Sequence, residues 1–149
     1  MQHNENSAFQ AVRALSAQLV EPLSEADAQL QSMPDASPAK WHLAHTSWFF
    51  EAVVLVPHMA GYRPFNERFF YLFNSYYEAL GPRHARPQRG LLTRPSLDEV
   101  HAYRAHVDAA MRRFIEELNR VEAAEKRKVT PLHLLEDLSE FGLGKLGPT

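Results

Sequence analysis

The fold is decided by residues 37 to 51, which read Ser37-Pro-Ala-Lys-Trp-His-Leu-Ala-His-Thr-Ser-Trp-Phe-Phe-Glu51. Ser37 is placed to act as an N-cap and Pro38 to occupy the first turn, so the stretch predicts a helix. At helical spacing one stripe holds Trp41, His45, Trp48, Ala52 and Leu55, and its neighbour holds His42, Thr46, Phe49 and Val53. The only clearly polar face is made by Lys40, Ser47 and Glu51. We therefore expect a helix that is buried on most sides.

The composition is that of a globular domain. Of 149 residues 45% are hydrophobic, and 16 basic and 18 acidic side chains leave a net charge of −2. A near-neutral chain has no overall field that would draw it to nucleic acid or to a membrane. Cysteine is absent, which excludes disulfides and thiolate metal sites, and the first residues lack a signal-peptide pattern. We expect one soluble, cytoplasmic domain over residues 1–149, without a nucleic-acid or membrane partner.

Helical patterns precede the central stretch. A first helix ending near Pro22 is predicted by an apolar face of four residues, Ala8, Val12, Leu15 and Leu19. Ser24 and Asp27 have the spacing of a capped start, which predicts a short helix up to Gln31. A turn is expected at residues 33–36, and the central helix should end before Pro57 because proline cannot donate into the helix.

A long helix follows the central one after a long connection. Ser96 and Glu99 stand at capping-box spacing, and a helical stripe continues through Val100, Tyr103, Val107, Met111, Phe114 and Leu118. Thr130-Pro131 predicts a last short helix carrying Leu134, Leu135, Leu138 and Phe141. These patterns predict an all-α four-helix bundle, with a long aromatic and basic crossover between the second and third long helices.

The histidines of the central helix are candidate metal ligands. A buried histidine is either a neutral core residue with hydrogen-bonded nitrogens or a ligand. Helical bundles build metal sites from inward side chains of facing helices, which favours His45 as a ligand and leaves His42 a packing or outer-shell role. On the last helix His133 and Asp137 share a face, with Glu136 a less aligned substitute. Two histidines and one carboxylate are typical of non-haem iron sites; the alternative is that His133 and Asp137 are solvated.

A second candidate site is the basic cluster of the crossover, formed by Arg83, His84, Arg86, Arg89 and Arg94. Arginines on a proline-rich loop suit forked hydrogen bonding to carboxylates or phosphates. Nucleic-acid binding is a rival interpretation because basic and aromatic residues interleave here, although the near-neutral total charge counts against it. A solvated loop is the third interpretation.

Four motifs in order resemble those of the ergothioneine-biosynthesis sulfoxide synthases. They are Ser37 to Glu51, Tyr71 to Glu78 (Tyr-Leu-Phe-Asn-Ser-Tyr-Tyr-Glu), Gly81 to Leu92 (Gly-Pro-Arg-His-Ala-Arg-Pro-Gln-Arg-Gly-Leu-Leu) and Tyr103 to Asp108 (Tyr-Arg-Ala-His-Val-Asp). The resemblance covers about residues 7 to 118. It implies a DinB-like four-helix bundle, which in that family is followed by a domain like the formylglycine-generating enzymes.

The resemblance also implies a chemistry. The family joins a cysteine-type thiol to the imidazole of hercynine in an oxygen-dependent reaction that gives a sulfoxide, using non-haem iron(II) held by three histidines. The first ligand corresponds to His45, and the loop arginines that hold the carboxylates of the thiol correspond to Arg83 and Arg86. The family's remaining ligands are a His-x-x-x-His pair. The nearest counterpart here is His133-Leu-Leu-Glu-Asp137, with an aspartate at the second position.

Three hypotheses follow for this chain. It resembles the N-terminal iron- and substrate-binding domain of a sulfoxide synthase, truncated so that the family's second domain is absent. Alternatively, it is a DinB-like thiol transferase or hydrolase that binds zinc or nickel through His45, His133 and Asp137. The third hypothesis is a non-catalytic helical remnant that packs as a homodimer over apolar surface left uncovered.

Overall fold

The structure is a computed structural model that describes residues 5–74, 85–91 and 94–125. Within these ranges the chain is helical and forms no strand, which confirms the predicted all-α class. The elements are α1 (Glu5–Val20), α2 (Glu25–Gln29), α3 (Ala39–Phe49), a π-helix (Phe50–Leu55), α4 (Val56–His58), α5 (Phe69–Leu72), a 3₁₀ helix (Arg86–Leu91) and α6 (Leu97–Glu125). The last predicted helix, after Thr130, lies outside the described residues. No helix in the described part is long and apolar enough to cross a bilayer.

The core lies between α3, the π-helix and α6. Trp48, Val53 and Leu55 are fully buried on one side, and Tyr103 and Val107 are fully buried on the other. The apolar stripe predicted for α6 is confirmed: its first four members are buried, and Phe114 and Leu118 at its far end are half-buried. Because α3 and α6 share this core, the side chains that α3 presents elsewhere are held in fixed directions.

Three local predictions of caps and turns are confirmed. The hydroxyl of Ser24 accepts from the backbone N–H of Asp27 at 3.1 Å and caps α2. Ser96 Oγ accepts from the N–H of Glu99 at 3.1 Å, and the Glu99 carboxylate returns to Ser96, as a capping box requires. A turn closes residues 33–36, where the N–H of Ala36 donates to the carbonyl of Met33 at 3.1 Å.

The predicted ends of the central helix are wrong at both termini. Pro38, not Ser37, precedes the first helical residue, and no side chain caps it. The Ser37 hydroxyl instead accepts from Arg89 Nη1 at 2.8 Å, a charge-assisted bond that replaces the cap. At the other end the helix runs through Pro57 to His58, because a π-helical turn intervenes and Pro57 falls at the start of α4, where no N–H is needed.

The face of α3 and the π-helix that is polar in sequence is buried. Lys40, Ser47 and Glu51 are 5%, 0% and 0% exposed. Each has a polar partner. Lys40 lies 3.9 Å from the carboxylate of Glu25, Ser47 accepts from Arg13, and Glu51 accepts from two tyrosine hydroxyls. The sequence pattern marks this face only as polar and does not show its burial, because buried polar groups that are paired resemble solvated ones in a hydropathy pattern.

The predicted inner face of α1 is exposed. Val12, Leu15 and Leu19 are 65%, 55% and 73% exposed, and Arg13 is the buried residue of the helix. Arg13 Nε pairs with Asp108 of α6 at 2.6 Å, and its Nη2 donates to Ser47 Oγ at 2.5 Å. The prediction failed because a guanidinium, and not an aliphatic stripe, fixes the rotation of α1 about its axis.

Candidate functional site

His45 is enclosed between two indole rings. Its ring stacks on Trp41 at a centroid distance of 4.6 Å and on Trp48 at 5.4 Å, with interplanar angles of 12° and 14°. The three residues lie on one stripe of α3 because positions three and four apart share a helix face. The imidazole is therefore half-buried and fixed in orientation by two rigid side chains.

One nitrogen of His45 is committed to the backbone. Nδ1 lies 2.6 Å from the carbonyl oxygen of Phe73, and because a carbonyl only accepts, Nδ1 must carry the proton. In the neutral ring the lone pair is then on Nε2, which has no hydrogen-bond partner among the described residues. Metal-binding histidines have this arrangement, in which an outer carbonyl fixes the tautomer and the ring.

The surroundings of His45 favour its neutral form. Burial lowers the pKa of His45, the Phe73 carbonyl opposes that shift, and the positive charges of His42 and Arg89 add to it. His42 is exposed and meets Trp41 edge-on at 5.4 Å, so it does not share the enclosure. Partial desolvation also lowers the pKa of His42, followed by the charges of Arg89 and Arg86. A neutral imidazole is the form that coordinates a metal.

Arg89 extends the stack by one layer. Its guanidinium carbon lies 3.6 Å from the Trp41 ring centroid, and the residue is 2% exposed. Nη1 donates to Ser37 Oγ at 2.8 Å and Nη2 to the carbonyl of Asn74 at 3.4 Å. The stack therefore consists of the guanidinium, Trp41, His45 and Trp48 in that order. Through it, Arg89 of the crossover contacts the start of α3. Arg89, which the sequence pattern groups with the anion-binding arginines, stacks on the indole of Trp41 and donates to the oxygens of Ser37 and Asn74.

The other crossover arginines separate in space. Arg86 is half-buried at the start of the 3₁₀ helix, and its backbone carbonyl accepts from Gln31 Nε2 at 2.6 Å. Arg94 is exposed and pairs with Glu99 at 3.3 Å. Arg83 and His84 lie outside the described residues. The resemblance assigns two arginines, Arg83 and Arg86, to the thiol carboxylates. Of these, Arg86 belongs to the described residues.

The predicted metal ligands are not brought together within the described chain. His45 is described, whereas His133, Glu136 and Asp137 lie outside the described residues. Among residues 5–74, 85–91 and 94–125 no group of three His, Asp or Glu side chains is arranged to hold a metal ion. The ligand set of His45, His133 and Asp137 therefore stays a prediction.

A buried carboxylate was missed by sequence analysis. Glu51, on the π-helix, is fully buried and accepts from the hydroxyls of Tyr62 and Tyr103 and from the N–H of Phe65 at 3.2 Å. The signal for it was the position of Glu51 inside an otherwise apolar run, Phe49 to Val56. Its partners are all hydrogen-bond donors without charge, and they anchor the loop after α4 to the core.

A comparison with protein families identifies the helical domain. The family model described as the DinB superfamily matches residues 8–140. No curated protein matches the chain. The match covers most of the 149 residues and agrees with the all-α architecture around His45. The chain therefore belongs to the DinB superfamily.

Proposed function

We propose that this chain is a metal-binding DinB domain related to the N-terminal domain of the ergothioneine-biosynthesis sulfoxide synthases. In this proposal His45 is one ligand of iron(II), and His133 and Asp137 supply the others. Arg83 and Arg86 hold the carboxylates of a cysteine-type thiol that is joined to hercynine. The proposal rests on the DinB match and on the four sequence motifs.

The observation that carries the proposal is the presentation of His45. Its Nδ1–H is used by the Phe73 carbonyl at 2.6 Å, and its ring is held between two indoles. These contacts fix the rotamer of His45 before a metal binds, so less side-chain entropy is lost on coordination. They leave Nε2 as the coordinating atom. The site fits one imidazole ligand of a metal ion.

The described residues of the site have binding and orienting roles. Bound iron(II) would supply the oxygen-dependent chemistry of carbon–sulfur bond formation. Trp41 and Trp48 exclude water from both faces of His45. The charge of Arg86 acts on His42, which lies three residues before His45 on α3. The guanidinium of an arginine can pair with a substrate carboxylate through forked hydrogen bonds.

Anaerobic titration with iron(II) tests the ligand assignment. We expect His45→Ala to weaken iron(II) binding at least about 100-fold, because loss of a mere outer partner of a ligand already costs 10–100-fold. His58→Ala is the matched control, since His58 is an exposed histidine at the end of α4. Equal affinity in the wild type and His45→Ala would show the assignment to be wrong.

The same titrations with zinc and nickel separate the two metal hypotheses. The sulfoxide-synthase hypothesis expects iron(II)-dependent formation of a sulfoxide from hercynine and cysteine, detected by mass spectrometry. Stoichiometric zinc or nickel that is lost in Asp137→Ala, without that product, would instead support a thiol transferase or hydrolase. For the thiol, Arg86→Lys should raise KM more than it lowers kcat, because it removes the forked contact to the bound carboxylate.

A further inference from the structure

A groove on the other side of α3 has features of a binding site. It lies between α1 and α6 and has a volume of about 420 Å³. Ser47, which accepts a hydrogen bond from Arg13 beside this groove, is two residues after His45, or about 200° further around the helix. The groove and the imidazole site therefore lie on opposite sides of α3.

The lining of the groove carries more positive than negative charge. Arg13, Arg104 and Arg112 line it together with one carboxylate, Asp108. Asp108 pairs with Arg13 at 2.6 Å, so the charge of Arg104 is not matched by a carboxylate of its own. Buried charges in proteins are normally paired. An additional anion would complete the pairing.

Arg104 is a buried cation that forms no ion pair of its own with a carboxylate among the described residues. It is 4% exposed, and its hydrogen bonds go to the Leu43 carbonyl at 2.9 Å, to Thr46 Oγ1 at 3.0 Å and to the Arg13 carbonyl at 3.0 Å. All three acceptors are neutral. A guanidinium has five N–H donors, so two of them have no acceptor among the described residues. Burial, and after it the charge of Arg13, lower the pKa of Arg104 to about 10, while the carboxylate of Asp108 opposes that shift. An entering anion would act in the same direction as Asp108.

The walls of the groove are small or apolar. Phe9, Ala14 and Ala17 form the side of α1, and Ala105 belongs to the side of α6. Alanines leave room at the surface, and their methyl groups offer contact to an apolar group. The combination of arginines with small and apolar residues in the lining suits a molecule with an anionic head and a short apolar body.

We propose that the groove between α1 and α6 binds a small organic anion, a carboxylate or phosphate joined to a short apolar group. Arg104 and the exposed Arg112 contact the anionic head, and the alanines of α1 contact the apolar body. The site is separate from the one proposed around His45 and does not depend on a metal.

Titration of the full chain with phenyl phosphate and with benzoate tests this proposal. Inorganic phosphate and phenol carry the head and the body separately, so each should bind more weakly than phenyl phosphate. The two charged probes also show whether a phosphate or a carboxylate is preferred. Binding is measured by calorimetry and by shifts of backbone amide signals of α1 and α6.

Arg112→Gln and Arg113→Gln form a matched pair, since both residues are exposed on α6 and only Arg112 lines the groove. We expect Arg112→Gln to weaken phenyl phosphate binding about fivefold and Arg113→Gln to change it less than about twofold, as for a direct and a remote charge. Arg104→Lys keeps the charge but loses the fork, and it should weaken binding about tenfold. Its melting temperature without ligand is measured first, and any variant that fails to fold is replaced by the Arg112 pair.

The outcomes separate this proposal from the one for His45. His45→Ala should bind phenyl phosphate as the wild type does, whatever its affinity for iron. Equal weakening by Arg112→Gln and Arg113→Gln would mean attraction to the whole molecule and would overturn the site. Absence of saturable binding of both charged probes would overturn it too, as would phenol binding as tightly as phenyl phosphate.

Discussion

The guanidinium of Arg89 links three parts of the chain through one side chain. It stacks on Trp41 at 3.6 Å and donates to Ser37 and to the carbonyl of Asn74. Lysine has no planar cation to stack and cannot span two acceptors in fixed directions. We expect Arg89→Lys to lower the free energy of unfolding by about 1–2 kcal/mol, the sum of a partly desolvated cation–π contact and a hydrogen bond. Urea denaturation measures this loss.

Arg94→Lys is the control for Arg89→Lys. The Arg94 side chain is 81% exposed, and its pair with Glu99 at 3.3 Å is on the surface. Such pairs contribute little, so this variant should stay within about 0.5 kcal/mol of the wild type. Equal losses in the two variants would mean that the stack on Trp41 does not stabilise the fold.

The two tyrosines around Glu51 should make the free energy of unfolding fall as pH rises into the alkaline range. Burial is the first cause that raises the pKa of Tyr62 and Tyr103 above the ordinary value of 10.0, and the carboxylate of Glu51 adds to it. The folded protein therefore keeps phenolic protons that the unfolded chain releases above pH 10.0. A raised folded pKa contributes stability that is complete below the unfolded pKa and is lost as pH rises beyond it.

We expect stability to fall as pH rises above the ordinary tyrosine pKa, and to fall less steeply in Tyr103→Phe, which removes one of the two groups. At neutral pH Tyr103→Phe should cost about 1–2 kcal/mol, because Glu51 loses a donor. Urea denaturation at neutral pH gives this cost. Urea denaturation at several alkaline pH values, with the ultraviolet signal of tyrosinate, gives the dependence of stability on pH. An unchanged alkaline slope in Tyr103→Phe would exclude this residue as a source of the pH dependence.

At the scale of the element, α6 begins at a double cap. Ser96 Oγ accepts from the N–H of Glu99 at 3.1 Å, and the carboxylate of Glu25 on α2 accepts from the N–H of Leu97 at 2.8 and 3.0 Å. We expect Ser96→Ala to cost about 1 kcal/mol, as is usual for loss of an N-cap. Urea denaturation measures the cost, and amide exchange in the first turn of α6 should increase.

Ser16→Ala is the comparison for Ser96→Ala. Among the described residues the Ser16 hydroxyl donates only to the carbonyl of Val12 within α1, at 3.2 Å. Such a contact does not stabilise helices. This variant should stay within about 0.5 kcal/mol of the wild type. If both alanines cost the same, the capping box of α6 is not a stabilising feature.

Elements with strong local signals were predictable from the sequence. The cap of α2, the start of α6 and its apolar stripe depend on residues close in the chain, and the structure confirms them. The ends of α3 depend on distant residues. Arg89, 52 positions after Ser37, donates a hydrogen bond to the Ser37 hydroxyl, which therefore does not cap the helix. The π-helix has no pattern of its own, so the passage of the helix through Pro57 could not be predicted.

The same distinction applies to the site around His45. The stripe of Trp41, His45 and Trp48 follows from helical spacing and was predicted. The acceptor for Nδ1 belongs to Phe73, 28 residues further on, and no local pattern indicates which carbonyl will face the ring. Predictions for His133 and Asp137 concern residues outside the described chain and stay predictions.

At the scale of the whole molecule, α1 is attached by a charged residue. Its exposed flank carries Val12, Leu15 and Leu19, while Arg13 reaches both Asp108 of α6 and Ser47 of α3. Arg104 of α6 donates to the backbone carbonyl of Arg13 at 3.0 Å, which adds a second link between the two helices. Apart from these polar contacts, Phe9 meets Phe50 edge-on at 5.1 Å. The packing of three helices thus depends on one network of buried polar groups.

Arg13→Ala should therefore lower the free energy of unfolding more than Leu15→Ala does, although leucine is the more hydrophobic residue. Arg13→Ala leaves Asp108 without its partner. Breaking a buried ion pair lowers the free energy of unfolding by about 3–5 kcal/mol. Because the Asp108 side chain is 31% exposed, we expect a loss at the lower end, about 3 kcal/mol. Because Leu15 is 55% exposed, Leu15→Ala should cost less than about 1 kcal/mol.

Arg13→Ala combined with Asp108→Ala should cost less than the sum of the two single variants, since the pair is then removed as a unit. Urea denaturation of the four variants decides this, and a larger loss in Leu15→Ala than in Arg13→Ala would mean that the apolar flank, not the guanidinium, holds α1 in the intact protein.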